Sequence, residues 1–246
     1  HYPLRRQRQM CIRDSYKAVE EKQFILYYQP KFNTNLEVCG VEALIRWNHP
    51  ALGILTPHMF IEGAEKTGLI IPMGYWALEQ ACLQIQEWER SNTPFYPVAV
   101  NLSALQFENK KLFSTLEALL KKYQIQPHHL IVEITESTAM RHIDLSIRAC
   151  ERLRDMGIRV AIDDFGTGHS SFLYLKDLPV DELKIDRGFI VDLKPGSKEE
   201  VILESIIHLA KKLGLTVTAE GVETQQQVEI LTRLGCQQFQ GYLLGM

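Results

Sequence analysis

Residues 130–165 read LIVEITESTAMRHIDLSIRACERLRDMGIRVAIDDF, and this stretch decides the fold prediction. It opens with an apolar run at Leu130–Thr135, continues as a helical pattern at Ala139–Met156, meets Gly157 and returns to an apolar run at Arg159–Phe165. Short runs that are apolar throughout are typical of strands buried on both faces. Glycine directly after a helical pattern marks the end of a helix. The stretch therefore predicts a parallel β–α–β unit.

The same alternation continues along the chain in both directions. Further helical patterns lie at Tyr75–Ser91, Lys198–Leu213 and Thr224–Leu234. The first two predicted strands are separated only by Phe32–Glu37, which is too short for a crossover helix, so they are expected to form a hairpin. Eight strands with interleaved helices predict an α/β fold, a modified TIM (β/α)8 barrel with one antiparallel strand. The predicted strands are Phe24–Lys31, Val38–Trp47, Val98–Ser103, Leu130–Thr135, Arg159–Phe165, Glu182–Arg187, Thr216–Val222 and Gln237–Leu243.

Composition restricts the function classes without selecting one. The chain has 246 residues, a formal net charge of −3, 46% hydrophobic and 23% charged residues, which fits a single globular domain. A near-neutral charge gives no reason to expect a nucleic-acid polymer as partner, and no apolar run is long enough to predict a membrane contact. The five cysteines are widely spread and form no C-x-x-C pair. This usage indicates a reducing, cytoplasmic compartment and argues against disulfides or a cysteine zinc site.

The first fifteen residues differ from the rest of the chain. They contain four arginines against one acid and show no hydrophobic period. A basic start without an apolar core is not a secretory signal. We interpret residues 1–15 as a basic leader, a linker or a remnant added for expression. Regular hydrophobic patterning begins at Tyr16, so residues 16–246 are predicted to form the domain.

Polar residues fall where the predicted strands end. In a parallel barrel those ends meet at one rim, which is where barrel enzymes carry their active sites. Several acids on one rim repel each other unless something positive lies among them. The candidates for that positive charge are Lys184 and divalent metal. The strand-end residues are Glu42, Asn101, Glu133, Asp163, Asp164, Lys184, Asp186, Glu220 and Glu223.

The type of these side chains indicates which metal. Carboxylates and the Asn101 amide offer only oxygen, which Mg²⁺ and Mn²⁺ prefer, whereas zinc usually selects nitrogen and sulfur. The number of acids suits two ions, and paired ions assist in-line phosphoryl displacement. Lys184 and Asp186 are two residues apart on a predicted strand and so face the same way. The ammonium group of Lys184 can therefore reach a water molecule that the metal ions bind. The rim therefore predicts metal-assisted hydrolysis of an anionic ester.

The ordered series EALIRW, NLS, EITES, DDFGTG, KID, AEGVET and QGY closely resembles the EAL domain, the bacterial phosphodiesterase that hydrolyses cyclic di-GMP. Each motif alone is short, but the series in this order covers Tyr16 to Leu244. The resemblance implies a cyclic-guanylate-specific phosphodiesterase that releases linear pGpG and uses two Mg²⁺ or Mn²⁺ ions. It also implies a homodimer, with a sensor or GGDEF domain upstream in the full-length protein.

Family roles carry over residue by residue. The resemblance implies that Lys184 holds or deprotonates the attacking water, with Glu42, Asp163 and Glu220 completing the catalytic group. Glu136 matches the glutamate that anchors the loop at 164–168, which in the family couples dimer contacts to metal binding. The implied metal ligands are Glu42, Asn101, Glu133, Asp163, Asp186 and Glu220, with Asp164 joining at the second ion. The implied substrate-binding residues are Gln29, Arg46, Asp186, Glu223 and Gln240.

Two departures from the family pattern are visible, and the second of them keeps another function open. His169 replaces a tyrosine that is common in the loop, and the sequence stops where the family continues through a proline-containing turn into a last helix. The second hypothesis is therefore a receptor or regulatory EAL module that binds cyclic di-GMP without hydrolysing it. A third is another acid-rimmed barrel, such as an enolase-type lyase, which would not require the NLS, DDFGTG and QGY segments together. Simpler roles also remain for Arg46, as partner of an acid, and Glu223, as an acid at a helix N-terminus.

Overall fold

The computed structural model describes residues 18–19, 21–91, 94–167 and 172–245. The basic segment 1–15 and His169 lie outside these residues. Nine strands occur in the described part of the chain. They are β1 Phe24–Asn33, β2 Val38–His49, β3 Gly53–Leu55, β4 Val98–Leu102, β5 Leu130–Thr135, β6 Arg159–Phe165, β7 Glu182–Ile185, β8 Thr216–Ala219 and β9 Gln238–Phe239.

The strands form one closed sheet. Their order is β1-β9-β8-β7-β6-β5-β4-β2, and β1 also pairs with β2, which closes an eight-stranded barrel. Around the barrel, the pairings from β2 to β4 and onward to β9 are parallel, whereas β1 runs antiparallel to both β2 and β9. The short β3 extends the sheet beside β2 in antiparallel orientation. The predicted modified TIM barrel with one antiparallel strand is confirmed.

The predicted hairpin between the first two strands is also confirmed. Strand β1 pairs with β2 along most of its length, with Gln29 opposite Glu42. In the turn, the Asn33 side-chain oxygen accepts the backbone N–H groups of Asn35 and Glu37. Leu36 takes a positive φ of 60°. Side-chain hydrogen bonds of this kind stabilise short turns and thereby set the strand register.

Helices cover the outside of the barrel. One prediction was wrong: the pattern at Ala139–Met156 is two helices, Glu136–Arg141 and Ile143–Asp155, separated by His142 at φ −140°, ψ 74°. The first begins earlier because the Thr135 hydroxyl caps it by accepting the N–H of Thr138. In the described residues the α-helices are α1 Ile61–Thr67, α2 Ile70–Ser91, α3 Ala104–Phe107, α4 Leu112–Tyr123, α5 Glu136–Arg141, α6 Ile143–Asp155, α7 Phe172–Leu175, α8 Lys198–Lys212 and α9 Gln225–Leu234.

The barrel interior changes from apolar to polar along the strand axis. Ala99, Ile131 and Ala161 form a small buried cluster. Two residues further along the same strands, and so on the same faces, come Asn101, Glu133 and Asp163. The larger apolar core lies between the other strand faces and the helices. The strands therefore carry their polar side chains inward at the carboxyl end. No helix in the described ranges is long and apolar enough to span a membrane.

Candidate active site

The polar rim is assembled from neighbouring strands. Glu42 lies on β2, Asn101 on β4, Glu133 on β5, Asp163 on β6 and Lys184 on β7. Asn101 is directly opposite Glu133 in the β4–β5 register. Glu220 follows β8 by one residue, and its N–H donates to the carbonyl of Ile185. The expected convergence of strand ends is therefore present in the structure.

Lys184 is the centre of this rim. The residue is fully buried, and its Nζ lies within 3.2 Å of an oxygen from each of four carboxylates. The shortest separations, 2.7 Å and 2.8 Å, are to Glu220 Oε1 and Glu133 Oε2. The separations to Asp163 Oδ1 and Glu42 Oε2 are 3.0 Å and 3.2 Å. One ammonium therefore faces four acids in a buried environment.

The acids also form two groups with the spacing of a metal centre. Glu42, Glu133 and Asp163 can place one oxygen each within 4.8 Å of one another, and all three are buried. Asp163, Asp164 and Glu220 form a second such group, so Asp163 is shared. Each set of three carboxylates could hold a hard divalent cation, which prefers oxygen ligands.

Burial and charged neighbours shift the pKa values of three of these acids. Burial would raise the pKa of Glu133, but Lys184 and Lys31 outweigh it and lower that pKa to about 2. Burial raises the pKa of Asp163 well above its ordinary 3.8, with Lys184 only partly opposing this and neighbouring acids adding to it. Burial likewise raises the pKa of Glu220. The two lysines therefore favour the charged form of Glu133, whereas Asp163 and Glu220 still favour their protonated forms. A divalent cation is chemically suited to replace those protons.

The neighbouring acid Asp164 has a similar environment. Burial and the charge of Asp186 raise the pKa of its carboxyl. Its backbone is in the left-handed region, with φ of 54°, and its N–H donates to Asp163 Oδ1. A non-glycine residue in this region costs about 1 kcal/mol or more. The conformation turns the chain immediately after Asp163, the residue common to both acidic groups.

Amide side chains hold Glu42 in place. Asn101 Nδ2 donates to Glu42 Oε1 over 2.6 Å, and Gln240 Nε2 donates to Glu42 Oε2 over 2.8 Å. The same Gln240 nitrogen is 2.9 Å from Gln29 Oε1. A ligating carboxylate that is hydrogen-bonded in this way keeps its orientation. Gln29 and Gln240 therefore belong to the same polar centre as Glu42.

An open cleft of about 290 Å³ lies above these residues. Its lining includes Arg187 and Tyr242, neither of which the sequence analysis selected. Arg187 Nη2 donates to Glu223 Oε1 over 2.7 Å, and Tyr242 is largely exposed at the cleft. The lining residues are Gln29, Glu42, Leu44, Asp163, Arg187, Glu220, Gly221, Gln240, Gly241 and Tyr242.

The segment after β6 is anchored from a neighbouring helix. Glu136 Oε2 accepts the N–H of Gly166 over 2.9 Å, from the first position of α5. Gly166 has φ of 99°, and an added Cβ would lie 2.2 Å from the Phe189 ring, so only glycine fits there. The Glu136–Gly166 contact connects α5 to the segment after β6, while residues 168–171 lie outside the described part.

Three of the sequence-selected residues are engaged outside the central cluster. Asp186 caps a 3₁₀ turn by accepting the N–H of Gly188. Glu223 pairs with Arg187. Arg46 donates to the carbonyl of Ile45 and stacks over a neighbouring tyrosine ring, at 5.5 Å from its centroid. Arg46 is nevertheless on the same face of β2 as Glu42, four residues further along, and so lies beyond it in the direction of the rim.

Sequence reasoning missed a buried pair beneath the rim, Lys31 and Glu182. Lys31 Nζ lies 2.8 Å from Glu133 Oε1 and 3.0 Å from Glu182 Oε1. The available signal was strand alternation: Lys31 is two residues from Gln29, and Glu182 is two residues from Lys184. Both positions therefore face the barrel interior, where a charged residue requires a partner.

Fold and site together define a barrel protein with an acidic centre at the carboxyl ends of its strands. The chain belongs to the EAL domain family, whose sequence profile matches residues 12–246. It is 49% identical over 235 residues to the bifunctional diguanylate cyclase/cyclic di-GMP phosphodiesterase MucR of Pseudomonas aeruginosa. The matched region covers 95% of this chain and 34% of that protein. It is 40% identical over 225 residues to the cyclic di-GMP phosphodiesterase PA2567 of the same organism, covering 91% and 38%.

A solved structure gives the same picture in three dimensions. The cyclic di-GMP complex of the PaMucR phosphodiesterase matches with a TM-score of 0.92 and 49% identity, covering 96% of each chain. The barrel topology is therefore shared along nearly the whole domain. The chain spans only about a third of the length of the two curated relatives, 34% and 38%.

Proposed function

We propose that this chain is a metal-dependent phosphodiesterase domain, residues 16–246, that hydrolyses cyclic di-GMP to linear pGpG. One observation carries the proposal. The acids and the lysine that the EAL motifs supply are all present, and four of the acids surround one buried ammonium at the strand ends. A domain that only binds a nucleotide has no need for such a costly arrangement of buried like charges.

The similarity to characterised proteins supports the substrate. MucR and PA2567 both carry cyclic di-GMP phosphodiesterase in their names, and the PaMucR phosphodiesterase was solved with that nucleotide. The cleft in this chain opens directly above Glu42 and Glu220. A cyclic dinucleotide that binds there brings its phosphodiester towards the acidic centre.

The proposed reaction is addition of one water across one phosphodiester. The water oxygen bonds to phosphorus, the P–O bond to the ribose 3′-oxygen breaks, and the proton lost by water balances the one gained by the leaving oxygen. Two Mg²⁺ or Mn²⁺ ions, held by Glu42, Asn101, Glu133, Asp163, Asp164, Asp186 and Glu220, would supply Lewis-acid activation and neutralise phosphate charge. Lys184 Nζ lies at the centre of the ligands, and as an ammonium it holds the water by donating a hydrogen bond to it.

Residues around the cleft are proposed to position the dinucleotide. Gln29 and Gln240 line the cleft, and their amides offer hydrogen-bond donors and acceptors to it. Arg46 is suited to a phosphate because its guanidinium presents paired donors. Glu223 would act from the cleft edge through its ion pair with Arg187. These groups bind the anion and its bases while the acidic centre performs the hydrolysis.

Regulation is proposed to enter through the segment anchored by Glu136. Its carboxylate fixes Gly166, three residues after the ligand Asp163. A homodimer contact near this segment would therefore act on the metal ligands. Because the relatives are about three times as long, we also propose sensor or GGDEF partners in the same polypeptide; the name of MucR includes a diguanylate cyclase in that protein.

Incubation with cyclic di-GMP and Mg²⁺ or Mn²⁺, followed by chromatographic separation of nucleotides, tests the proposal. We expect pGpG to accumulate with the wild type. Glu42→Ala should reduce the rate more than about 100-fold, because it removes a ligand that two amides and Lys184 hold in place. Saturable binding of cyclic di-GMP without turnover in either metal would favour the receptor function instead.

A further inference from the structure

Beneath the metal-ligand rim lies a second polar layer inside the barrel. It is formed by Lys31, Glu182 and Thr218. Each of them is two residues away along the chain from a residue of the rim layer, namely Gln29, Lys184 and Glu220. Lys31 and Glu182 are 1% and 5% exposed, and Thr218 is fully buried. Neither the hydrolysis nor the substrate contacts proposed above use these three side chains.

The layer touches the rim at one point, the carboxylate of Glu133. Its two oxygens are divided between two lysines: Oε2 lies 2.8 Å from Lys184 Nζ, and Oε1 lies 2.8 Å from Lys31 Nζ. Lys31 also donates to Glu182 Oε1 over 3.0 Å, and that oxygen accepts from the Thr218 hydroxyl over 2.6 Å. Lys31 is thereby fixed from two sides while it holds the lower oxygen of Glu133.

We infer that Lys31, held by Glu182, is a positioning residue that keeps one oxygen of Glu133 in the lower layer and directs the other to the metal. A carboxylate held through one oxygen presents the second in a defined direction, and partners of this kind typically contribute about 10–100-fold in metal affinity. The inference rests on the proposed metal-dependent function, but concerns only binding of the ion.

Glu182 gives the arrangement its electrostatic balance. A lone buried ammonium beside Glu133 would cancel part of the negative charge that attracts the cation. Because Glu182 pairs with the same Nζ, the Lys31–Glu182 pair adds no net charge below the site. Lys31 can therefore orient Glu133 while Glu133 keeps its attraction for a divalent ion.

The double variant Lys31→Met/Glu182→Gln isolates the orienting effect, because it removes one positive and one negative charge. Calorimetric titration of the metal-free protein with Mn²⁺ alone should show affinity about 10–100-fold weaker than wild type. The Mn²⁺ concentration for half-maximal turnover should rise by the same factor, while the rate at saturating Mn²⁺ changes little. Lys122→Met/Glu79→Gln makes the same two changes at a surface ion pair and should leave both quantities unchanged.

Circular dichroism and thermal unfolding verify that each variant is folded. A role in stability alone would lower the melting temperature of the double variant and leave Mn²⁺ affinity of the folded protein at the wild-type value, and that result overturns the inference. Should the double variant fail to fold, Glu182→Gln provides the test, since it leaves the full Lys31 charge beside Glu133 and should weaken Mn²⁺ binding about 10-fold. Wild-type affinity in this variant likewise overturns the inference.

The metal titration is independent of the substrate. A wild-type chain that binds Mn²⁺ but leaves cyclic di-GMP intact would contradict the proposed function, and the variants would still decide the role of Lys31. A wild-type chain that does not bind Mn²⁺ would overturn the inference itself.

Discussion

Replacing Lys184 by methionine should destabilise the metal-free protein and make it depend on metal for its stability. Lys184 is fully buried, and its ammonium is the shared partner of Glu42, Glu133, Asp163 and Glu220. Methionine has a similar length but no charge, so the variant leaves these carboxylates facing one another. Removing one partner from a buried ion pair costs about 3–5 kcal/mol, and we expect a loss of that size at pH 7.

Urea unfolding in EDTA measures this loss. With an m-value of about 3 kcal/mol/M, a cost of about 3–5 kcal/mol lowers the midpoint by about 1–1.7 M. Mn²⁺ at about 100 times its dissociation constant stabilises a folded protein by about 2.7 kcal/mol. The gain should be larger in Lys184→Met than in wild type at equal Mn²⁺, because the ion no longer competes with the ammonium for the same oxygens.

Lys122→Met is the matched control. It makes the same substitution at an exposed lysine that pairs with Glu79 and should leave the midpoint unchanged. If Lys184→Met in EDTA unfolds at the wild-type midpoint, the carboxylates do not depend on the ammonium and the electrostatic account of the site is wrong. The account also fails if Mn²⁺ stabilises the variant no more than wild type.

Three further outcomes follow from the site and its supports. Glu136→Ala leaves the N–H of Gly166 without this carboxylate, and should lower both turnover and Mn²⁺ affinity; equal values for the variant and wild type would contradict the anchoring role. Gly241→Ala should destabilise by about 3 kcal/mol in urea unfolding, because its Cβ would lie 2.2 Å from the backbone nitrogen of Val222; an unchanged midpoint would show that this turn has room. In EDTA, the raised pKa values of Asp163 and Glu220 mean that the folded state takes up protons at higher pH than the unfolded chain. The contribution of these two groups to the free energy of unfolding should therefore increase as pH falls from those raised pKa values towards 3.8 and 4.5, whereas Mn²⁺ affinity should decrease over the same range. Urea midpoints and calorimetry at several pH values check both trends. A metal affinity that does not depend on pH would contradict them.

Local patterns in the sequence were sufficient for the barrel and much of its rim. An apolar run that ends in an acid predicts both a buried strand and its carboxyl end, and so places Glu133 and Asp163 at the same rim from the sequence alone. Strand β3 and the break at His142 were not predicted. Strand β3 depends on its pairing with β2, and at His142 the backbone leaves the helical region (φ −140°, ψ 74°) within a sequence pattern that is helical throughout.

The lower polar layer could not be predicted because it depends on closure of the barrel. Alternation places Lys31 and Glu182 inside, but β1 and β7 are far apart in sequence and meet only across the barrel interior. Similarly, Asp186 lies in the KID motif, yet its carboxylate caps the following turn in the structure. Motifs identify which residues are available, whereas the hydrogen-bond partners depend on the packed fold.

The most direct test of the central claim is hydrolysis of cyclic di-GMP in ¹⁸O-labelled water with Mn²⁺, analysed by mass spectrometry. The account predicts linear pGpG that carries one ¹⁸O atom in its terminal phosphate, and no product in EDTA. Cyclic di-GMP that remains intact in the presence of metal, although it binds the protein, would contradict the claim that this acidic centre is a phosphodiesterase site.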